Sequence, residues 1–243
     1  MIKEVEGIVL SNTPFKESSK IINVYTKEYG VIGILCKGVQ STKSKLRGIT
    51  DKLTYAKFNI YYKEGKLSTL VDASIINPFK NIKKDIISIS YATYICDLVS
   101  QVIKQTDDID IYNDLINSLI KIDDGLDPMI ITNIIEVKLL KYLGVGLNFT
   151  SCAICGNKKD IVTLSEKKGG LLCKNCYTDE KLIPLDVVKI LNIYFLVDIK
   201  SINKLSIDKK IASEINRFLT SYYDDNTGLY LKSKDFLKTI EKL

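Results

Sequence analysis

The 243-residue sequence predicts an α+β fold in more than one domain. We expect a small five-stranded barrel first, and then an α-helical domain with a short cysteine-rich insertion. Three observations predict this arrangement. Apolar and polar side chains alternate over positions 1–80, as in half-buried strands. After Pro78 the apolar residues recur at helical spacing. Two Cys-x-x-Cys pairs follow between Cys152 and Cys176.

The barrel is predicted from five short alternating runs in the N-terminal part of the chain. Turn residues such as those of "KEYG" and "KEGK" separate them. The runs are "VEGIVL", "KIINVYT", "VIGILCK", "LTYAKFNIYYK" and "KLSTLVDASII". Five strands of this size suggest a closed barrel of the oligonucleotide-binding (OB) type, because closure removes exposed sheet edges and leaves one face for single strands. Residues 1–80 are therefore expected to form an OB-fold nucleic-acid-binding domain.

Helical periodicity predicts a second domain over residues 81–243. Its first helix carries apolar residues from Ile86 to Ile103, and its second covers Ile111 to Ile122. A third begins with Asp127 as N-cap, followed by a proline in the first turn, and is expected to end at Gly144. Further helices are predicted in "LDVVKILNIYFLV" and "DKKIASEINRFLTSYY".

The cysteine-rich insertion, residues 148–180, is predicted to be a zinc finger. Its cysteines have the spacing C-x2-C-x17-C-x2-C, which suits a four-cysteine zinc site. The predicted ligands are Cys152, Cys155, Cys173 and Cys176. Gly156 gives the backbone freedom at the first turn, and "EKKGG" between the pairs is typical of a hairpin turn. We expect one zinc ion per chain.

Two other interpretations of these cysteines fit their spacing less well. A redox Cys-x-x-Cys needs only one pair, and four buried free cysteines would not fall into this spacing by chance. Cys36 and Cys96 lie singly in apolar surroundings and are expected to be core thiols. Four protein thiolates leave no open coordination position, so the predicted zinc is structural and performs no Lewis-acid chemistry.

Composition excludes several classes of function. Histidine is absent, which excludes His-containing catalytic triads and His-ligated metals. No apolar run approaches the roughly 18 to 20 residues of a membrane span, and the N-terminus is too charged for a signal peptide. We therefore expect a cytoplasmic protein with reduced thiols and no membrane partner.

The positive charge of the chain is concentrated at its N-terminus. Residues 1–80 hold 13 Lys/Arg against 7 Asp/Glu, whereas residues 81–243 hold 22 of each sign. The densest part lies in "CKGVQSTKSKLRG", called here the basic loop, whose glycines and hydroxyl residues favour a flexible loop. Its cations are Lys37, Lys43, Lys45 and Arg47, with no acid among them. They are candidates for phosphate contacts, and the alternative is a solvated lysine loop.

The fourth strand run carries a second candidate surface. Ala56, Phe58, Ile60 and Tyr62 alternate with a set that is basic and aromatic. That set contains Tyr55, Lys57, Tyr61 and Lys63. Such a face can stack bases and neutralise backbone phosphates. The alternative is an ordinary solvent face with tyrosines packed along the rim of the barrel.

Catalytic signatures are scarce. The segment "GILCKGV" has the glycine spacing of a phosphate loop, but Val39 stands where the lysine is required. Three acidic pairs, at positions 107–108, 123–124 and 224–225, lie in predicted turns, where solvated side chains are more common than general acids or magnesium ligands. No enzymatic activity is expected.

The order of these parts resembles a known family. The matching segments are "EGIVL…ESSKIINVYTKEYG…CKGVQSTKSKLRG", "YLG…LNFTSCAICG" and "LYLKSKDFL". Over nearly the whole chain the sequence closely resembles the bacterial RecO family of DNA repair and recombination mediators. The N-terminal block is the most specific part, since the cysteine spacing alone would fit many proteins.

The resemblance implies an N-terminal OB barrel and a helical C-terminal domain with a zinc finger. It also implies binding of single- and double-stranded DNA, annealing of complementary strands, and work with RecR to load RecA onto DNA covered by single-strand-binding protein. By family position the DNA-contact role falls on the basic loop, and the protein is expected near the nucleoid. Two alternatives stay open from the residues: a zinc-stabilised RNA-binding module and a Mg-dependent nuclease.

Overall fold

The computed structural model describes residues 1–106 and 108–240, so the acidic pair at 107–108 lies partly outside the described residues. The chain groups into two compact units, which are described separately. Unit 1 contains Met1–Asp124 and the segment from Ser233 onward, and unit 2 contains Gly125–Lys232. In this division, the first helices after the barrel belong to the same compact unit as the barrel. The domain boundaries given by the change of periodicity near Pro78 stay a prediction.

Unit 1 begins with the predicted five-stranded closed barrel, which is confirmed. The strand order around it is β1-β2-β3-β5-β4, with β3 and β5 parallel. The strands are β1 (Ile2–Phe15), β2 (Ser19–Thr26), β3 (Gly30–Cys36), β4 (Tyr55–Tyr61) and β5 (Ser68–Asn77). They coincide with the five alternating runs, although β1 extends further at both ends.

Strand β1 closes the barrel by pairing with two partners. Residues 2–8 pair with β4, residues 7–15 pair with β2, and the register shifts between Val9 and Ser11. Gly7 lies where both pairings overlap, and a Cβ there would stand 2.6 Å from the Tyr25 carbonyl oxygen. Real Cβ atoms do not approach backbone so closely, so any larger residue would push β2 away from β1.

The barrel interior is a dry apolar core. Ala56, Phe58 and Ile60 are each 0% exposed, which confirms the predicted inward set on β4 as far as Ile60. Cys36 is buried in the same core, and Cys96 is buried in the first helix, as expected for core thiols. Removing a phenyl ring from such a core destabilises a protein by about 3 to 5 kcal/mol.

Helices α1 (Ile86–Val102), α2 (Ile109–Asp123) and α6 (Lys232–Ile240) complete the description of unit 1. Asp85 caps α1 by accepting the Ser88 N–H at 2.7 Å. The Asp123 carboxylate accepts the N–H groups of Asn81 and Ile82 at 2.9 and 3.0 Å, so it holds the turn that follows the barrel.

Unit 2 contains α3 (Pro128–Leu139), α4 (Leu185–Leu196) and α5 (Lys209–Asn226), together with a small sheet. Asp127 caps α3 as predicted, accepting the Met129 N–H at 2.9 Å. The α-helical span ends at Leu139, earlier than predicted, because tighter i→i+3 turns carry the chain on to Gly144. Gly144 ends that segment with φ +74.

The small sheet has the order β6-β8-β7, from β6 (Asn148–Cys152), β7 (Ile161–Ser165) and β8 (Gly170–Cys173). The predicted hairpin turn in "EKKGG" connects β7 to β8, which are antiparallel. In the part of the chain that the structure describes, every helix lacks the length or apolarity needed to cross a bilayer.

Candidate nucleic-acid interface and metal centre

The two cysteine pairs converge in unit 2. Cys152 ends β6 and Cys173 ends β8, and a tight turn after each strand brings back the second cysteine of the pair. In these turns the Gly156 N–H donates to the Cys152 carbonyl at 2.9 Å, and the Cys176 N–H donates to the Cys173 carbonyl at 3.0 Å. Gly156 adopts φ +73, the conformation for which a glycine was predicted.

The sulfur geometry fits a four-thiolate metal site. All four Sγ atoms lie within 4.8 Å of one another, and the Cys155 and Cys173 sulfurs are 3.6 Å apart. A tetrahedral zinc with Zn–S bonds of about 2.3 Å places its sulfurs about 3.8 Å apart. The predicted cysteines are therefore confirmed as one cluster that could hold a metal ion.

The thiols of this cluster compete for ionisation. Burial opposes ionisation of Cys152, but backbone N–H groups of the surrounding turns, including that of Cys155, bring its pKa down to about 6. Hydrogen bonding with Cys155 raises the pKa of Cys176 to about 12. The thiolate form of Cys152 is thus favoured, while Cys176 is held as a thiol. A bound cation would allow all four thiols to ionise.

The hydrophobic cluster at the cysteines is small. Its buried members are Cys152, Leu172 and Cys173, with Ile161 and Cys176 packed against them. Two of the three buried members are metal-ligand candidates. A metal bound by these cysteines would therefore add folding free energy where the local apolar cluster is small.

The basic loop leaves β3 as a series of turns, and all four of its cations are exposed. None of the four forms an ion pair among the described residues. The loop is attached at two points, because Val39 is 0% exposed in the barrel core and the Gln40 N–H donates to the Ser18 carbonyl at 2.9 Å. The cations are thus presented on an anchored loop.

The Gln40 hydrogen bond also brings the turn between β1 and β2 alongside the basic loop. Lys16 on that turn is exposed and has no ion pair within the described chain. Lys20, at the start of β2, is bound to Asp51 at 3.0 Å. Sequence analysis missed Lys16, because it lies far from Lys37 along the chain and only the barrel closure brings their turns together.

The four candidates on β4 do not form one surface. Tyr61 is 50% exposed and Lys63 is exposed beyond the strand end, whereas Lys57 is paired with Glu4 at 3.2 Å. Tyr55 is 9% exposed, and its hydroxyl donates to the Glu6 carboxylate. Burial, with Glu6 beside the hydroxyl, raises the pKa of Tyr55 well above its ordinary value.

The ring of Tyr55 therefore offers little surface to a base. Tyr112 of α2 lies beside its hydroxyl, and period-two alternation cannot anticipate a helix that covers one end of a strand. The contribution of each β4 residue to nucleic-acid binding stays a prediction, and the geometry favours Tyr61 and Lys63 within the set.

An aromatic cluster absent from the sequence-based set lies at the opposite end of the barrel from the basic loop. The rings of Tyr29 and Tyr62 have centroids 4.7 Å apart, and the Lys3 ammonium lies 4.5 Å from each centroid. Lys3 also donates to the Tyr29 hydroxyl at 2.9 Å. This hydrogen bond is the main reason that the pKa of Lys3 is raised, so the amine is charged at neutral pH.

Acidic residues supply no comparable site. Among the described residues, the cysteine cluster is the one group of three or more Cys, His or carboxylate side chains close enough to share a metal. Asp123 uses its carboxylate as a cap, and Asp224 and Asp225 lie exposed at the end of α5. The described acidic pairs are thus accounted for as a helix cap and as exposed side chains at a helix end.

Comparison with known proteins identifies the same order of parts. The family model described as "Recombination protein O N terminal" matches residues 1–79, and "Recombination protein O C terminal" matches residues 83–235. A "DNA repair protein RecO" of Listeria welshimeri is 33% identical over 245 residues, covering 99% of this chain and 96% of its own length. A Bacillus cytotoxicus protein of that name is 32% identical and covers 100% of this chain and 99% of its own length.

Proposed function

This chain belongs to the RecO family of DNA repair proteins, and on that premise we propose that it is a DNA-binding recombination mediator. It binds single- and double-stranded DNA and anneals complementary strands. With RecR it helps to load RecA onto DNA covered by single-strand-binding protein. These partners are proposed because the chain resembles the family. The observation that carries the DNA-binding role is the anchored basic loop, whose four exposed cations make no ion pair within the described chain.

The mechanism is electrostatic. Cations on the loop displace counterions from the phosphate backbones of two strands, which reduces the repulsion between them. Exposed aromatic side chains hold unpaired bases by stacking, so that complementary bases can meet. No covalent bond is made or broken, and no ATP is required, in keeping with the incomplete phosphate loop. The protein acts on chromosomal DNA in the cytoplasm, at the nucleoid.

The metal has a separate role in this proposal. We assign one structural zinc ion per chain to Cys152, Cys155, Cys173 and Cys176, because thiolates are the ligands that zinc prefers in closed sites. Four thiolates fill its coordination sphere. The zinc therefore folds the insertion and takes no part in DNA chemistry.

The test is annealing of complementary labelled strands precoated with single-strand-binding protein, with and without this chain, in the presence of Mg²⁺. Faster duplex formation from intact strands is expected. Strand cleavage would instead favour a nuclease. Preferential competition by RNA over DNA of the same sequence would favour an RNA-binding module. Addition of RecR and RecA then tests the loading step by itself.

A further inference from the structure

The cluster of Lys3, Tyr29 and Tyr62 has the composition of a nucleic-acid contact. The Lys3 Nζ atom and the two ring centroids form a nearly equilateral triangle, with sides of 4.5, 4.5 and 4.7 Å. Among the described residues Lys3 makes no direct ion pair; its ammonium contacts the two aromatic faces and one neutral hydroxyl, with the Glu64 carboxylate further away. An ammonium held in this way keeps its charge available to a phosphate.

The surface around the cluster is apolar and aromatic. Ile2 and Tyr61 are cross-strand neighbours on β1 and β4, and they are 53% and 50% exposed. Val31 at the start of β3 is 47% exposed. Large exposed apolar side chains beside a cation that makes no direct ion pair are the features that single-strand binding uses, since bases stack on the rings and the cation meets the backbone.

The length of β3 gives the distance between this end of the barrel and the basic loop. Tyr29 immediately precedes Gly30, the first residue of β3, and the basic loop begins after Cys36, the last one. A strand of this length spans about 20 Å, at roughly 3.3 Å per residue. The two ends are therefore as far apart as about six stacked nucleotides, at about 3.4 Å each.

The wall between the two ends would not repel a phosphate backbone. Strands β2 and β3 contain no aspartate or glutamate, and Lys20 is their one charged residue. On the outer side of β3, Val31, Gly33 and Leu35 are exposed or half-buried, while Ile34 and Cys36 point into the core. A neutral, shallow strand face thus connects the aromatic cluster to the basic loop.

We propose that Lys3, Tyr29 and Tyr62, together with Tyr61, form a second single-strand contact at one end of a path across β2 and β3 whose other end is the basic loop. This inference rests on the proposed DNA-binding function and names where the bases are held. A strand long enough to reach both ends stacks on the aromatic cluster while the loop neutralises its phosphates.

The test compares binding of labelled oligothymidylates of 4 and 15 nucleotides. The double variant Tyr29→Ala/Tyr62→Ala should bind the 15-mer about 5- to 150-fold more weakly, the range expected for loss of one stacked base. It should bind the 4-mer as the wild type does, because a short strand is held at the loop alone. Tyr29→Phe/Tyr62→Phe keeps the rings and should retain 15-mer binding. The matched control is Tyr230→Ala, an exposed tyrosine of unit 2.

Three outcomes would overturn the inference. They are unchanged 15-mer binding by the alanine variant, equal losses for both lengths, and loss with Tyr230→Ala of the same size. If the alanine variant does not fold, photo-crosslinking of the wild type to a 5-iodouracil 15-mer decides, because crosslinks at Tyr29, Tyr61 or Tyr62 are expected and crosslinks confined to the loop would refute it. Failure of the wild-type protein to bind DNA at all would instead refute the proposed function.

Discussion

The barrel and the cysteine insertion are stabilised by opposite means. The barrel encloses a core in which residues from several of its strands are 0% exposed, whereas the small buried cluster of the insertion is centred on two of its own cysteines. The barrel is thus stable through apolar burial, and the cations of its basic loop make no ion pair among the described residues. The insertion uses its most reactive side chains on itself. The comparison teaches that the most conspicuous sequence motif and the densest group of exposed cations lie in different units.

The largest expected effect tests the insertion. Cys152→Ser should release the metal and unfold the segment, because zinc binding contributes about 10 to 16 kcal/mol in isolated zinc-finger peptides. Metal analysis should find about one zinc per wild-type chain and almost none in the variant, which should also melt earlier. DNA binding by the folded barrel should persist.

Cys96→Ser is the control for that experiment, since Cys96 is a buried thiol of α1 outside the cluster. It should keep its zinc. Retention of zinc and of the melting temperature by Cys152→Ser, together with loss of DNA binding, would mean that the cysteines belong to the working surface.

The next effect tests the barrel. Phe58→Ala removes a ring that is 0% exposed and should lower the free energy of unfolding by about 3 to 5 kcal/mol. Denaturant unfolding measures the loss. The zinc content should not change, because the metal site depends on a different unit. A variant that lost both stability and zinc would show that the two regions are not stabilised independently.

Substitutions in the basic loop should change stability less than Phe58→Ala does, but they should change DNA binding strongly. Changing Lys37, Lys43, Lys45 and Arg47 to alanine should flatten the log-log salt dependence of single-strand binding by up to about 0.7 per contact, or about 2.8 in all. Melting should hardly change, because exposed side chains contribute little to the core. Binding isotherms at several salt concentrations give the slope.

Four exposed lysines of the insertion provide the matched charge control: Lys158, Lys159, Lys167 and Lys168. Their change to alanine removes the same charge from the other region and should leave the slope near its wild-type value. Equal flattening in the two variants would show that net charge, rather than the loop, determines binding.

The smallest expected effect distinguishes the roles of Tyr55 and Tyr61, two tyrosines of β4. Tyr61→Ala should weaken single-strand binding by about 1 to 3 kcal/mol without early melting, since its ring is exposed. Tyr55→Ala should melt earlier and bind DNA nearly as the wild type does, since its ring is buried and its hydroxyl is bound to Glu6. Paired melting and binding curves test both. The reverse pattern would restore Tyr55 to the binding surface.

Much of the fold could be predicted because its signals are local. The period of apolar residues gives the strands and helices, and a Cys-x-x-Cys pair is set by a single turn, so the four ligand candidates could be named from spacing. The end of α3 was placed too late because i→i+3 turns keep the same apolar period as a helix for a short stretch.

What could not be predicted depends on contacts between distant segments. Tyr112 covers Tyr55 from a helix far along the chain, and Val39 enters the barrel core from within a polar loop. Tyr62, which alternation places with the inward residues, is half-buried against the barrel core, and its contact with the ring of Tyr29 could not be predicted. Each of these contacts joins segments that are distant along the chain. The residue pattern of a single strand carries no information about them.

The return of the chain to unit 1 after unit 2 has a consequence for synthesis. The segment from Ser233 onward groups with residues 1–124, and its Leu237 is 6% exposed. A ribosome adding about 5 to 20 residues per second needs roughly 5 to 20 seconds to proceed from Asp124 to Ser233. Throughout that interval nascent unit 1 lacks its last helix. Unit 2 is contiguous and can therefore complete its fold before the unit that was started first.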